Sequence, residues 1–389
     1  MTLKKILIRL NTRQLKQMVL FLSLFCCSVM CHAQSGEGVC CDSVVPEAGS
    51  AEKAFEPGPH IIGHVTDAHS WHLFDIEKNN GETHAVAIPL PVILYHDGSL
   101  DLFMSSRFEH GHADYKGYRL VGGGLEKEEI VCVDAQGAIL TDADGAVVKP
   151  MDFSITKTVL GIFIGVLVIC AIVLYSARCY RRTKTGAPHG MQSLIEMLVV
   201  MVRDEICRPM IGPTYERYLP YILTLFFFIF GCNILGLIPI FPGGANVTGN
   251  IAVTMVLALI TFFITNLNGN KHYWKDIVNA DGVPAWLKIF PLMPLIEIIG
   301  IFTKPFVLMI RLFANMTAGH IMVLSLTVVI IVISNLFGNL TGSVTAVVAV
   351  LFTVFIDLLE CLVAYIQAFV FTMLTAVYIG MAVAEPAEA

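Results

Sequence analysis

Four ionisable side chains stand apart in the apolar last third of this 389-residue chain: Arg311, His320, Asp357 and Glu360. Arg311 lies in the stretch KPFVLMIRLFANMTAGH (304–320), with only Leu, Met, Ile, Phe and Ala within three residues on either side. An arginine keeps its charge at every pH a cell meets. Holding it in a membrane costs from about 3 to more than about 10 kcal/mol. It cannot relay protons, but it can keep a carboxylate ionised or bar a proton from passing. Histidine and glutamate can carry protons there, because their pKa values can be moved near the working pH. Arg311 and Asn315 share one helix face, whereas His320, nine residues on, points to roughly the opposite one. Glu360, Gln367 and Tyr378 fall within about 20° of one line at roughly 100° per residue. Asp357 adds a second carboxylate one turn before Glu360. The plainer alternative is a structural bridge from Arg311 to Asp357 or Glu360, but buried pairs often fail to stabilise. A fixed cation on one side of a helix and titratable groups on another favour proton handling.

The elements that must position these groups are membrane spans. The chain is 56% hydrophobic and 14% charged, with mean hydropathy +0.71, which is the balance of a polytopic membrane protein rather than a soluble one. Residues 159–177 are 19 uncharged residues, long enough to span. They end in Arg178, Arg181, Arg182 and Lys184, which the positive-inside rule assigns to the cytoplasm. Residues 191–217 mix apolar residues with charges and suit an amphipathic helix on the inner surface. Further spans are expected over 219–240 and 251–266. Asn246-Val-Thr between them is formally a glycosylation triplet and reads better as turn chemistry. Two long apolar tracts follow, 289–334 and 344–383. A 40-residue helix measures about 60 Å, roughly twice the hydrocarbon thickness, so each tract is either broken or strongly tilted. Pro291, Pro294 and Pro305 could break the first near its start. The absence of proline from 306–334 favours a long, tilted hairpin. The expected fold class is therefore an all-α polytopic membrane protein. It has five crossings, a surface helix and the C-terminus inside.

The first part of the chain differs. Residues 1–33 have a basic start, a 13-residue apolar core and small residues before Gln34, and read as a signal peptide. Residues 34–150 hold eight of the twelve histidines and read as a small β-rich exported domain, with turns at Asp97-Gly98, Gln136-Gly137 and Asp144-Gly145. His64, His69 and His72, or His110 and His112, match no standard metal spacing, so surface histidines are the better reading. Cys40, Cys41 and Cys132 are the cysteines whose expected location permits a disulfide. The membrane domain is taken as 151–389. No metal, cofactor or nucleic-acid partner is expected, and the chain has no GxxxxGK[ST] loop with which to bind ATP.

The motif RLF-x-N-M-x-AG, with a distal QAF-x-F-x-x-L, resembles subunit a of F-type ATP synthase, the stator subunit facing the rotating c-ring. The likeness runs over about 156–381, with weaker matches in RRTKTGAPHG and NILGLIP. It implies that Arg311 is the family's essential arginine, that Gln367 is its glutamine partner across the hairpin, and that Asn315 is the polar residue one turn away. His320 and Glu360 occupy positions where some members carry glutamate and histidine, so this chain has the pair exchanged. Glu297 matches a polar half-channel position. The likeness further implies a c-ring, a peripheral-stalk subunit b and membrane lipid as partners, in a bacterial inner membrane. The competing class is a secondary transporter in which Arg311 binds an anionic substrate. That class predicts internal repeat symmetry, and none is visible between the halves.

Overall fold

The computed structural model describes residues 58, 65–77, 83–111, 113–123, 126–134, 136–142, 145–182, 190–238, 243–278, 292–337 and 339–384. The leader, Cys40, Cys41, His64, His112 and most of the RRTKTGAPHG turn lie outside these residues.

The β part has seven strands: β1 (Ser70–Glu77), β2 (Thr83–Pro89), β3 (Pro91–His96), β4 (Ser99–Met104), β5 (Tyr118–Gly123), β6 (Glu126–Cys132) and β7 (Met151–Asp152). They form antiparallel sheets β1-β2, β4-β3-β7 and β5-β6. Asp97 and Gly98 turn β3 into β4 with φ of 47° and 78°, the left-handed pair that a two-residue hairpin needs. Val92 and Leu94 alternate inward on β3 and meet Phe103, Phe108, Tyr118, Ile130 and Cys132 in a small core. Two successive turns then repeat at an eight-residue spacing, with Gly137 and Gly145 donating to the carbonyls of Asp134 and Asp142. Their flanks close a ring of three backbone bonds: Leu140 to Cys132, Val148 to Leu140 and Cys132 to Val148.

The helices follow in the order α1 (Lys157–Arg182), α2 (Met191–Met201), α3 (Arg208–Ile211), α4 (Tyr215–Leu237), α5 (Ile251–Leu267), α6 (Lys271–Val278), α7 (Leu292–Phe337) and α8 (Asn339–Val383). Among the described residues, Lys157–Tyr180, Met191–Leu237 and Val344–Val383 are long and apolar enough to cross a membrane, and Ile251–Leu267 is a shorter apolar helix. The chain is mostly helical, in keeping with a polytopic membrane protein. One core runs through α1, α4, α5, α7 and α8 around Ile162, Phe226, Ile229, Val253, Leu312 and Ile379.

Two expectations need correction. The single surface helix over 191–217 is instead α2, a π-helical turn (Val202–Cys207), α3 and a 3-10 turn (Gly212–Thr214). Gly212, at φ 75°, and Pro213 end it, so Tyr215–Leu237 already forms the next helix. Its faces are not divided as an amphipathic helix requires, because Ile195, Leu198 and Val202 are buried while Met191, Leu194 and Met197 are exposed. The first long tract is unbroken, as the hairpin reading expects: α7 is continuous over 46 residues with Pro305 inside it. A small cavity of about 20 Å³ beside Ile301, Lys304 and Pro305 gives room for a water where proline forfeits the helical bond. Finally, His69 is buried rather than on the surface, with Nε2 2.8 Å from Asp152 and Nδ1 3.5 Å from Glu128. The Asn246 triplet does serve as a turn, its side-chain oxygen accepting from the Gly249 amide at 2.9 Å.

Candidate functional site

The site is built where α7 and α8 pack side by side. His320 and Glu360 meet there, Nδ1 to Oε1 at 3.3 Å, with 15% and 8% of their side chains exposed. That contact needs an absent side chain. Gly319 presses its backbone on Glu360 so closely that a Cβ would stand 1.9 Å from Oε1. On the other side, the place a Cβ would occupy on Gly236 of α4 lies 3.7 Å from His320 Nε2.

His320 Nδ1 also lies 3.1 Å from the Met316 carbonyl. Two oxygen acceptors around one ring nitrogen favour the tautomer with its proton on Nδ1, which leaves Nε2 as an acceptor. The imidazole can therefore take a proton at Nε2 from the Gly236 side and give one at Nδ1 to Glu360. Among the described residues, Glu360 Oε1 has no hydrogen bond, only the 3.3 Å approach of His320 Nδ1, and a buried carboxylate oxygen left in that state calls for a functional explanation. Asp357 stands one turn away, exposed, within electrostatic reach of both His320 and Glu360.

Behind this pair runs a buried polar chain. Thr248 Oγ1 donates to Asn233 Oδ1 at 2.6 Å, and Asn233 Nδ2 reaches the Ala364 carbonyl at 3.5 Å. Asn233, Gly236, Thr248 and Gly319 were not among the residues singled out from the sequence. The only signal for the first two was their place in NILGLIP. Gln367 is buried on α8, two turns beyond Glu360.

Arg311 and Asn315 lie exposed together on the outer face of α7. Among the described residues Arg311 has no salt bridge, to Asp357, Glu360 or any other carboxylate; its field acts on Tyr378. Further along, the Lys304 ammonium sits 5.6 Å from the centre of the Tyr378 ring. Both line the 20 Å³ cavity with Thr261, Thr265, Asn266 and Tyr273. Glu297, half-buried, acts electrostatically on Tyr273. Two polar clusters thus lie along the α7–α8 contact, His320 with Glu360 and Lys304 with Tyr378. One is beside the 243–250 loop, the other beside the α5–α6 turn. Along α7, His320 and Lys304 lie about 14 Å and about 10 Å from Arg311 on either side, at 1.5 Å per residue. Among the described residues, no group of three His, Cys, Asp or Glu side chains could hold a metal ion.

The family model described as ATP synthase A chain matches residues 159–380, and one described as a domain of unknown function (DUF8433) matches residues 60–153. The chain is similar to ATP synthase subunit a 2 of Chlorobium luteolum, with 44% identity over 241 residues, covering 60% of this chain and 67% of that protein. ATP synthase subunit a 2 of Chlorobaculum tepidum is 42% identical over 240 residues, 60% of this chain and 64% of that one. ATP synthase subunit a of Myxococcus xanthus is 42% identical over 242 residues, covering 60% and 74%.

Proposed function

This chain belongs to the ATP synthase A chain family, and from that premise we propose that it is the proton-conducting stator subunit a of an F-type ATP synthase, with Arg311 as the coupling residue. The observation that carries the reading is the placing of two polar side-chain pairs, His320–Glu360 and Lys304–Tyr378, on either side of an exposed arginine that has no carboxylate partner among the described residues. A proton enters from the outer side past the 243–250 loop, passes His320 Nε2, and moves through Nδ1 to Glu360 and on to a carboxylate of the c-ring. Asp357 keeps the local potential negative and attracts the incoming proton. After nearly a full turn of the ring the carboxylate releases its proton into the inner pocket, beside Tyr378, Lys304, Asn266 and Glu297. Between the two the bare carboxylate passes Arg311 and Asn315. The fixed positive charge lowers the proton affinity of that carboxylate and repels a proton seeking the direct route. Gln367 faces the same contact from α8. One charge crossing about 100 mV supplies about 2.3 kcal/mol, so several protons combine for each ATP made by other subunits.

The remaining parts of the reading follow. Residues 1–33 are a signal peptide, 34–150 are exported, and 151–389 form the membrane domain of a bacterial inner-membrane protein. Its five crossings are α1, α4, α5, α7 and α8, with the C-terminus in the cytoplasm. The exposed apolar sides of α7 and α8 meet the c-ring and lipid, and subunit b is the stalk partner. The test is ATP-driven proton pumping in vesicles holding the assembled complex, wild type against Arg311→Gln. Loss of pumping with assembly retained is expected. Pumping that persists would show Arg311 to be structural and would reopen transport of another solute.

A further inference from the structure

The β module has a hydrophobic core of its own, yet Trp71 of β1 does not belong to it. Trp71 is 3% exposed and sits in the helical core with Ile162 of α1 and with Ala245 and Val247 of the 243–250 loop. Its cross-strand partner Ile88 packs against that same core. The root of the strand is tied to α1 as well: Asp67 Oδ1 accepts from the Thr158 amide and the Ala68 carbonyl from the Lys157 amide, both at 2.9 Å.

The loop that shares this core with Trp71 packs beside His320. A Cβ on Gly236 would stand 3.2 Å from the Ala245 carbonyl and 3.7 Å from His320 Nε2, and the Gly249 carbonyl accepts from Thr317 Oγ1 of α7 at 3.4 Å. The loop's far side is pressed on α1, where a Cβ on Gly161 would meet the Ala245 Cβ at 2.8 Å. Loops open more readily than the elements they join, so a loop used as a channel wall needs pinning. A tryptophan supplies the largest apolar anchor a single residue can.

We propose that the β module is a clamp on the outer wall of the proton inlet, with Trp71 the positioning residue that holds the 243–250 loop against His320. The proposal rests on the proton path above and gives a role to residues 60–153, the part matched by a domain of unknown function. Trp71 acts through the loop.

The test uses the assembled complex carrying Trp71→Ala, read by ATP-driven pumping and by the outer-side pH profile of passive proton flow. Asp357 stands within electrostatic reach of the His320–Glu360 pair, and the substitution leaves it alone. A misplacement of about 1 Å far from the reacting groups can cost on the order of a hundredfold, so a fall in pumping of about threefold or more is expected, with a shifted pH profile. Trp71→Phe should recover most of both, and Leu102→Ser, on the exposed face of the module's sheet, should change neither. Ile88→Ala is a milder cut at the same seam and should move both readouts in the same direction if Trp71→Ala fails to assemble. An assembled Trp71→Ala or Ile88→Ala complex with wild-type pumping and pH profile overturns the clamp. Persistent pumping by Arg311→Gln would overturn the proton path instead, so the two failures are distinguishable.

Discussion

Gly319→Ala isolates the relay contact from the fold. One methyl group is added, and its carbon would start 1.9 Å from Glu360 Oε1, 2.6 Å from Cδ and 2.8 Å from Cγ. No side chain tolerates such distances, so the Glu360 carboxylate must swing away. Forcing it off its rotamer costs about 0.5–1.5 kcal/mol, and crowding of a packed interior adds about 1–3 kcal/mol. Against this, alanine is about 1 kcal/mol better than glycine inside a helix. The net cost is therefore about 0.5–3.5 kcal/mol spread over a 46-residue helix, small enough for the complex to assemble. The 3.3 Å contact from His320 to Glu360 is what disappears. ATP-driven pumping should fall on the order of tenfold, the factor that about 1.4 kcal/mol represents, with complex yield unchanged. Adding Glu360→Asp withdraws the carboxylate by one C–C bond of about 1.5 Å and should restore part of the flow. A Gly319→Ala complex that pumps at the wild-type rate would refute the claim that His320 and Glu360 work through direct contact.

Two further outcomes concern the β module. Burial lowers the pKa of His69, but the Asp152 and Glu128 carboxylates outweigh it and raise it from 6.5 to about 9. A raised folded-state value means that this stabilisation is complete below about pH 6.5 and fades as pH rises through about 9. The shift corresponds to about 3 kcal/mol at 1.36 kcal/mol per pH unit. The protection factors of β1 and β7 amides in the full chain, with the intrinsic base catalysis of exchange divided out, should therefore fall between pH 7 and about pH 9 in the wild type and stay flat in His69→Gln. The same flatness in the wild type would contradict it. Asp67→Ala removes the acceptor for the Thr158 amide and should cost about 1 kcal/mol, as the loss of a helix cap does. Faster proteolysis at the start of α1 reports it, and an unchanged cleavage rate would count against the cap.

Much of the site was legible because helical spacing is regular. Arg311 and Asn315 do share an exposed face, and His320 does turn from them toward Glu360. The turns at Asp97-Gly98, Gln136-Gly137 and Asp144-Gly145 were legible for a similar reason, since a left-handed backbone selects glycine locally. What escaped were contacts between distant segments. Asn233 reaches Ala364 across 131 positions, and His69 reaches Asp152 across 83. No periodicity records either. His69 therefore passed for a surface histidine, although its neighbours in space are two acids. Lys304 was visible only as the edge of a motif, because its partner Tyr378 comes from the other helix.

The length of the hairpin has a geometric consequence. The apolar part of α8, Val344–Val383, has 40 residues and so measures about 60 Å. Such a rod fits within a hydrocarbon layer of about 30 Å only when its axis lies about 60° from the membrane normal. It then sweeps about 50 Å sideways in the plane of the bilayer, which lets one helix lie along the curved flank of a round partner. Between a bilayer of about 27 Å and one of about 33 Å the required inclination changes by only about 7°. A helix of ordinary length must stretch, sink or distort the lipid to meet the same change. A hairpin so inclined would meet it by a slight rocking, which would buffer the register between Arg311 and whatever passes it against the thickness of the membrane around it.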